Sequence, residues 1–246
     1  MSQTTRAFMR CVRILTVEQF REPIAVFWSL LAPVAFLALS AHQGRGFMLS
    51  GDQWTEKLGM GLSYVAITMS FFTFGMYLIG RRESGFVRSF LTGARRRQRF
   101  VLVQYMASYM TLLAYGAVFG AIAALLVEGQ FWKTFMDLYG RFAMFGAGLM
   151  FGTIFVAVMP LTFQAASSAM SIVLMVIVVS GLAAAGLAGD QAVRYFNVFN
   201  SGAEFITFGW GEPALLAVLC VQFILAVVLG CAGLRWQRVN PEWSNR

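Results

Sequence analysis

The fold is decided by the segment Gly80-Arg81-Arg82-Glu83-Ser84-Gly85-Phe86-Val87-Arg88-Ser89-Phe90-Leu91, which continues to Arg95-Arg96-Arg97 and Arg99. This segment lies between two uncharged runs that are each long enough to cross a bilayer. Seven of the nineteen basic residues fall in it, and Glu83 is its single acid. Because loops rich in arginine stay on the cytoplasmic side of a membrane, the segment predicts the orientation of the whole chain.

The composition is that of a membrane protein. Of the 246 residues, 59% are hydrophobic and 12% are charged, whereas soluble domains carry about 25% charged residues. The net charge of +8 would suit nucleic-acid binding, but no soluble segment interleaves basic and aromatic residues over the length that a polynucleotide site needs. We therefore expect no nucleic-acid partner. One histidine and three cysteines without CxxC spacing predict no metal site, no disulfide framework and no catalytic residue.

Six uncharged runs are predicted as membrane spans, because each can cross about 30 Å of hydrocarbon. They are residues 23–44, 58–80, 100–127, 142–162, 168–189 and 213–234. The segment between spans three and four, Glu128 to Arg141, is predicted to be a short polar loop. The uncharged run 142–189 is too long for one span, and we divide it at Pro160 to Ser168, where proline and polar residues cluster. The predicted fold is an all-α membrane protein whose residues 1–246 form a single transmembrane domain.

The distribution of charge predicts the topology. Six spans place both termini on one side, and with that side in the cytoplasm fourteen of the nineteen basic residues lie inside. This agrees with the positive-inside rule and predicts an N-in, C-in arrangement. Residues 190–212, where polar and aromatic residues alternate, are then external and predict one or two short helices at the outer interface.

Residues 1–22 predict an amphipathic helix that lies in the membrane interface. Four basic residues share an arc of about 80° on a helical wheel and would face headgroups or a partner: Arg6, Arg10, Arg13 and Arg21. The opposite side, with Phe8, Cys11, Val12 and Leu15, would face acyl chains. A secretory signal peptide is the competing interpretation, but the basic region is long and contains Glu18 and Glu22.

The loop after span two has the pattern of a docking helix. Phe86/Phe90 and Val87/Leu91 are i,i+4 pairs, and apolar residues at helical spacing in a water-facing loop need a surface to bury against. A partner protein is the favoured surface, and the membrane is the other. For the arginines at 95–99 we favour a role as a topology determinant only. The residues predicted to couple to a partner are Arg82, Glu83, Gly85, Phe86, Val87, Phe90 and Leu91.

The spans carry no acid, and His42, their one ionisable base, lies at the interfacial end of span one, so coupling to a proton or an ion lacks a carrier and the energy source is expected outside this chain. Plain packing is the alternative for every residue that could line a substrate pathway. The candidate pathway residues are Thr68, Phe71, Phe72, Ser171, Met175 and Val178.

These patterns together resemble the permease subunit of type-2 ABC exporters, a family that includes drug-resistance and lipid or polysaccharide export permeases. The first feature is Phe20-Arg21-Glu22-Pro23-Ile24-Ala25-Val26-Phe27-Trp28 followed by Leu31-Ala32-Pro33. The second is the segment from Arg82 to Leu91, which is similar to the family's loop pattern of a charged residue, a glycine and a leucine. The third is the external segment between spans five and six. The family often continues with Thr-Pro, where this chain has Thr92-Gly93.

The resemblance implies a pair of six-span subunits, identical or paralogous, bound to two ATP-binding subunits in the cytoplasmic membrane of a prokaryote. Residues 82–92 would form the coupling helix, and the N-terminal helix would brace it. ATP and Mg²⁺ would bind to the partner subunit, so this chain needs no cofactor. A drug, antibiotic, lipid or peptide would pass between the subunits along spans two and five. The alternative function is a non-transporting membrane scaffold.

Overall fold

A computed structural model describes residues 3–43, 53–91, 93–125, 131–186 and 195–236. These parts are helical and contain no strand, which confirms the all-α fold class. The α-helices are α1 (Gln3–Phe20), α2 (Pro23–Val26), α3 (Ala32–Gln43), α4 (Gln53–Thr68), α5 (Met76–Glu83), α6 (Phe86–Phe90), α7 (Ala94–Ala123), α8 (Phe131–Thr153), α9 (Phe163–Gly186), α10 (Val198–Phe208) and α11 (Pro213–Arg235). Two π-helical stretches join their neighbours without a break, Phe27–Leu31 and Met69–Gly75, and a 3₁₀ turn at Ile154–Val158 follows α8.

Five helices are long and apolar enough to cross a membrane. They are Trp54–Glu83, Ala94–Ala123, Phe131–Val156, Phe163–Ala183 and Pro213–Arg235, and they correspond to predicted spans two to six. The chain is therefore a multi-pass membrane protein. The predicted first span is helical from Pro23 to Gln43 but is not among the five. A sixth span and the N-in, C-in topology stay predictions. The predicted ends at residues 1–2, 44, 126–127 and 187–189 lie outside the described residues.

The polar segment 128–141, expected to be a loop, is helical from Phe131 onward, so that expectation was wrong. Its aromatic and aliphatic residues recur at helical spacing and are buried, as Phe131, Phe135, Leu138 and Phe142. They enter gaps that two glycines leave on α7. A Cβ on Gly120 would lie 2.1 Å from the Phe135 ring, and one on Gly116 would lie 2.3 Å from the Phe142 ring. Only glycine permits this approach, so α7 and α8 pack closely along their length.

Helix α1 packs on α7, which corrects the expectation that Phe8, Val12 and Leu15 meet acyl chains, whereas Cys11 is exposed. Val12 is 7% exposed, and Phe8 and Leu15 join it in a cluster with Val103 and Ala107 of α7. An amphipathic stripe suits a neighbouring helix as well as a bilayer, and α7 supplies that neighbour. With 30 residues, α7 is about 45 Å long, longer than the hydrocarbon layer of about 30 Å. It therefore has length to spare for this contact.

Candidate functional site

One arginine connects three helices where span two ends. The Arg81 guanidinium at the end of α5 binds the Glu18 carboxylate of α1. It also lies 4.8 Å from the centroid of the Tyr77 ring and 5.5 Å from that of the Phe86 ring, within the range of cation–π attraction. The Tyr77 hydroxyl donates to Glu18 as well. We call these four residues the Arg81 junction, and they link α1, α5 and α6.

Helix α1 is held in register by a buried amide. Gln19 is 1% exposed, and its Nε2 donates to the Ser108 hydroxyl at 2.7 Å. Its Oε1 accepts from the Thr111 hydroxyl at 2.9 Å. Burial of an amide is tolerated when both its donor and its acceptor are satisfied. The sequence interpretation missed Gln19, although its place four residues after Leu15, on the apolar face of α1, could have revealed it.

Arg82 is buried inside the subunit, although the sequence interpretation placed it among the residues that couple to a partner. It is 5% exposed, and its Nη1 donates to the Met159 carbonyl at 2.6 Å. Its Nη2 donates to the Leu161 carbonyl. Both carbonyls belong to the non-helical link between α8 and α9, where the backbone lacks helical donors. Arg82 therefore ties the end of span two to the link between spans four and five.

Glycine is required at the turn between α5 and α6. Gly85 has a φ of +73°, the left-handed conformation that residues with a Cβ rarely adopt. A Cβ here would meet nothing within 4 Å, so the requirement is conformational and not steric. Glu83, just before the turn, is half-buried, and its Oε1 has no hydrogen-bond partner among the described residues.

The apolar face of α6 is used partly within the subunit. Val87 is 8% exposed, and the Phe86 ring lies 5.4 Å from the Phe100 ring of α7. Leu91 is half-buried, whereas Ser89 is exposed. The side chain of Phe90 lies outside the described part of the chain. This face therefore does not depend wholly on a partner for its burial, contrary to the expectation from its spacing.

The predicted pathway residues fall into three groups. Thr68 is fully buried, and its hydroxyl donates to the Tyr64 carbonyl at 2.9 Å, as in ordinary helix packing. Ser171 and Met175 lie exposed on α9. The structure brings the remaining residues together where span two meets α9, namely Phe71, Phe72 and Val178. Phe71 and Phe72 sit on the π-helical stretch Met69–Gly75, a conformation often found at functional sites.

A cavity of about 140 Å³ adjoins this contact. Its walls come from α3, α4, α9 and α10, and they include Pro33, Tyr64, Val178 and Phe199. Tyr64 is the one lining residue with a polar side-chain group among those described. The cavity therefore lies between predicted spans one, two and five and favours an apolar occupant.

The helix expected within 190–212 is confirmed as α10, while residues 190–194 lie outside the described part. Asn197 caps its start, since Oδ1 accepts from the Phe199 N–H at 2.8 Å and Nδ2 donates to the Ile177 carbonyl of α9 at 2.8 Å. Arg141 of α8 donates to the carbonyls of Ile206 and Thr207 at 3.1 and 2.8 Å. A cation at a helix C-terminus also matches the helix dipole. Sequence reasoning missed both Asn197 and Arg141.

Comparisons with known proteins give one relative of similar length. No family model matches this sequence. Protein McbE of Escherichia coli is 25% identical over 237 residues, which cover 95% of this chain and 97% of that protein. The chain is thus similar to McbE from end to end.

Proposed function

We propose that this chain is the membrane subunit of an ATP-driven ABC exporter, and that α6 docks on a separate ATP-binding subunit. The observation that carries the proposal is the Arg81 junction, which joins α6 to both α1 and the end of span two. An ATPase that displaces α6 would therefore move these elements together. ATP and Mg²⁺ would be bound by the partner, and this chain would supply no catalytic group.

Two features of the turn and α6 support docking. Ser84 and Ser89 are exposed and offer a polar contact surface. The buried Oε1 of Glu83 lacks a hydrogen-bond donor within the described residues, and leaving a buried acceptor unsatisfied is costly. Once a rotation of the Glu83 side chain exposes this oxygen, an arginine or lysine of a partner would supply that donor in a charge-assisted hydrogen bond.

Arg82 would couple α6, the proposed docking element, to the proposed substrate pathway between spans two and five. Through its bonds to the Met159 and Leu161 carbonyls, movement of α5 would be passed to the link that begins span five. Spans two and five border the cavity of about 140 Å³. Drug-sized ligand sites are about 300 Å³ or larger, so transport would require the two spans to separate.

A second copy, or a paralogue, would complete the pathway. Helix α9 carries an exposed apolar face that a second subunit could cover, formed by Ile172, Met175, Val176 and Val179. Pairing along this face would turn Ser171 and Met175 toward the partner subunit. Apolar walls favour a hydrophobic or amphipathic cargo, such as a drug, antibiotic, lipid or peptide. The proposed location is the inner membrane of a prokaryote.

The first experiment is gentle purification of the chain from native membranes, followed by mass spectrometry of what accompanies it. We expect a stoichiometric P-loop ATPase. Ser89→Glu adds a charge on the exposed side of α6 without altering buried packing, and it should reduce the recovered ATPase strongly. Lys133→Glu, an exposed change on α8, serves as the matched control and should leave recovery unchanged.

Two outcomes would contradict the proposal. If Ser89→Glu retains both the ATPase and export, α6 is not the docking element. If the wild-type chain yields a homo-oligomer with no ATPase, a non-transporting scaffold becomes the better function.

A further inference from the structure

A second cavity, of about 280 Å³, lies between α8, α10 and α11. It shares no lining residue with the cavity between α4 and α9. Its walls include Met144 and Gly148 of α8, Phe205 of α10, and Cys220 and Phe223 of α11, with Trp210 after α10. It is therefore a separate site, formed by spans four and six and by the short helix packed beside them.

The lining of this cavity can bind little besides hydrocarbon. No charged side chain lines it among the described residues. The Gln222 amide is its most polar group, and the Oε1 of that amide already accepts from the Ser201 hydroxyl at 3.1 Å. A charged ligand would lose its water here and would gain no charged partner among the described lining residues.

The cavity opens on the apolar outer surface of the bundle. Met144 and Phe223 at its rim are 58% and 59% exposed. The neighbouring α11 residues Val221 and Ile224 are 65% and 63% exposed. In a helix that spans a membrane, such a surface is covered by lipid tails. Lipid tails are therefore the occupants that the surrounding bilayer would supply at this opening.

We propose that this cavity holds one acyl chain of a membrane phospholipid. The lining from Leu219 to Ala226 on α11 rises about 10 Å, which gives a groove along the helix and suits a linear chain. Trp210, 55% exposed, marks the headgroup end, since tryptophan favours the membrane interface. A cavity of about 280 Å³ spread over this length is too narrow for a helix of a second copy, which is about 10 Å across. The proposal does not rest on the exporter function.

The test uses a phospholipid with a photoreactive diazirine in its acyl chain. The purified chain is reconstituted in vesicles of phosphatidylethanolamine and phosphatidylglycerol that contain a trace of this probe, and adducts are mapped by mass spectrometry after illumination. Phe205 is the diagnostic residue, because it is 4% exposed and also lines the cavity. We expect adducts on Phe205 as well as on the fully lipid-facing Ile224.

Matched glycine variants make the result specific. Gly148→Leu should obstruct the cavity, because a Cβ at this position has its nearest contact with the Phe223 ring at 3.4 Å and the leucine can extend inward. Gly140→Leu is the control on the same helix, where a Cβ meets nothing within 4 Å. We expect Gly148→Leu to abolish the Phe205 adduct and keep the Ile224 adduct, and Gly140→Leu to keep both. Cys220→Trp, which narrows the cavity from α11, should repeat the loss.

Three results would overturn the proposal. The first is labelling of Ile224 without Phe205 in the wild-type chain, which would mean that no acyl chain enters. The second is a Phe205 adduct that survives both Gly148→Leu and Cys220→Trp, which would mean that the probe reaches it by another route. The third is crosslinking of Cys220 between two copies by a short bifunctional thiol reagent, which would mean that a second copy covers the opening.

Discussion

The two ends of the helix Trp54–Glu83 each carry a short helix, and the two are held in different ways. Near its start, α10 has eleven residues, of which most are buried, and polar side chains bind both of its ends. Near its end, α6 has five residues, and its described contacts are Val87, the Phe86 ring and the Arg81 junction. Helix α10 is therefore fixed by many contacts. At the other end, α5 is anchored, whereas α6 is held by few contacts.

This difference indicates which of the two short helices, α6 or α10, a partner can displace more easily. Local opening costs little where few apolar contacts are buried and much where many are buried. A partner that displaces α6 would meet little resistance until the force reaches Arg82 and α5. Displacement of α10 would break its contacts with α4, α8 and α9 together. The two ends should therefore respond unequally to mutation.

The largest effect is expected at Arg82, on the anchored part of the α6 end. Arg82→Ala would leave the Met159 and Leu161 carbonyls without their donor in a site that is 5% exposed. Hydrogen bonds to charged groups contribute about 1.5–3 kcal/mol each, so we expect a loss of about 3 kcal/mol. Unfolding in mixed micelles titrated with SDS would measure it. Arg82→Lys, which keeps the charge but not the two-pronged geometry, should recover part of the loss. A change near zero for Arg82→Ala would mean that the α8–α9 link is held by other contacts.

A second prediction compares glycines at the two ends. A Cβ on Gly59 would lie 2.0 Å from the Thr207 hydroxyl and 3.0 Å from the Ala203 carbonyl of α10, whereas a Cβ on Gly93, after α6, meets nothing within 4 Å. Overpacking costs about 1–3 kcal/mol, so Gly59→Val should destabilise the protein by about 2 kcal/mol and Gly93→Val by much less. The same SDS titration would show this. Equal losses of stability in Gly59→Val and Gly93→Val would mean that the two ends of the helix Trp54–Glu83 do not differ in packing.

Hydropathy and helical periodicity predicted the all-α class and five of the spans, because burial in a bilayer is a local property of the sequence. The recurrence of Phe131, Phe135 and Leu138 at helical spacing would also have indicated the start of α8, but the sequence interpretation did not use it. The prediction of a loop there gave too much weight to Lys133 and Asp137, which lie on the exposed face of the helix.

The polar contacts at the candidate site could not be predicted in the same way. Arginines at the end of a span satisfy the positive-inside rule wherever they point. The partner of Arg82 is a carbonyl 77 residues away, and the partner of Arg81 is a carboxylate 63 residues away. Only the packing of distant helices decides that one arginine is buried and the other joins α1. The same holds for Arg141, whose acceptors on α10 lie 65 and 66 residues further along.

The smallest change in stability, and the sharpest test of the contrast, concerns the Arg81 junction. The side chains of Arg81 and Glu18 are 29% and 41% exposed, and exposed ion pairs contribute about 0.2–1 kcal/mol. Arg81→Gln should therefore change the free energy of unfolding by less than about 1 kcal/mol.

Because the Arg81 junction is one of the few attachments of α6, the same variant should accelerate amide hydrogen exchange across Phe86–Phe90 and leave exchange in α10 unchanged. Tyr77→Phe removes a hydroxyl but keeps the ion pair, so it should have a weaker effect. If exchange in α6 does not change in Arg81→Gln, then Val87 and Phe86 hold this helix by packing alone, and movement of α6 would no longer be expected to reach α1.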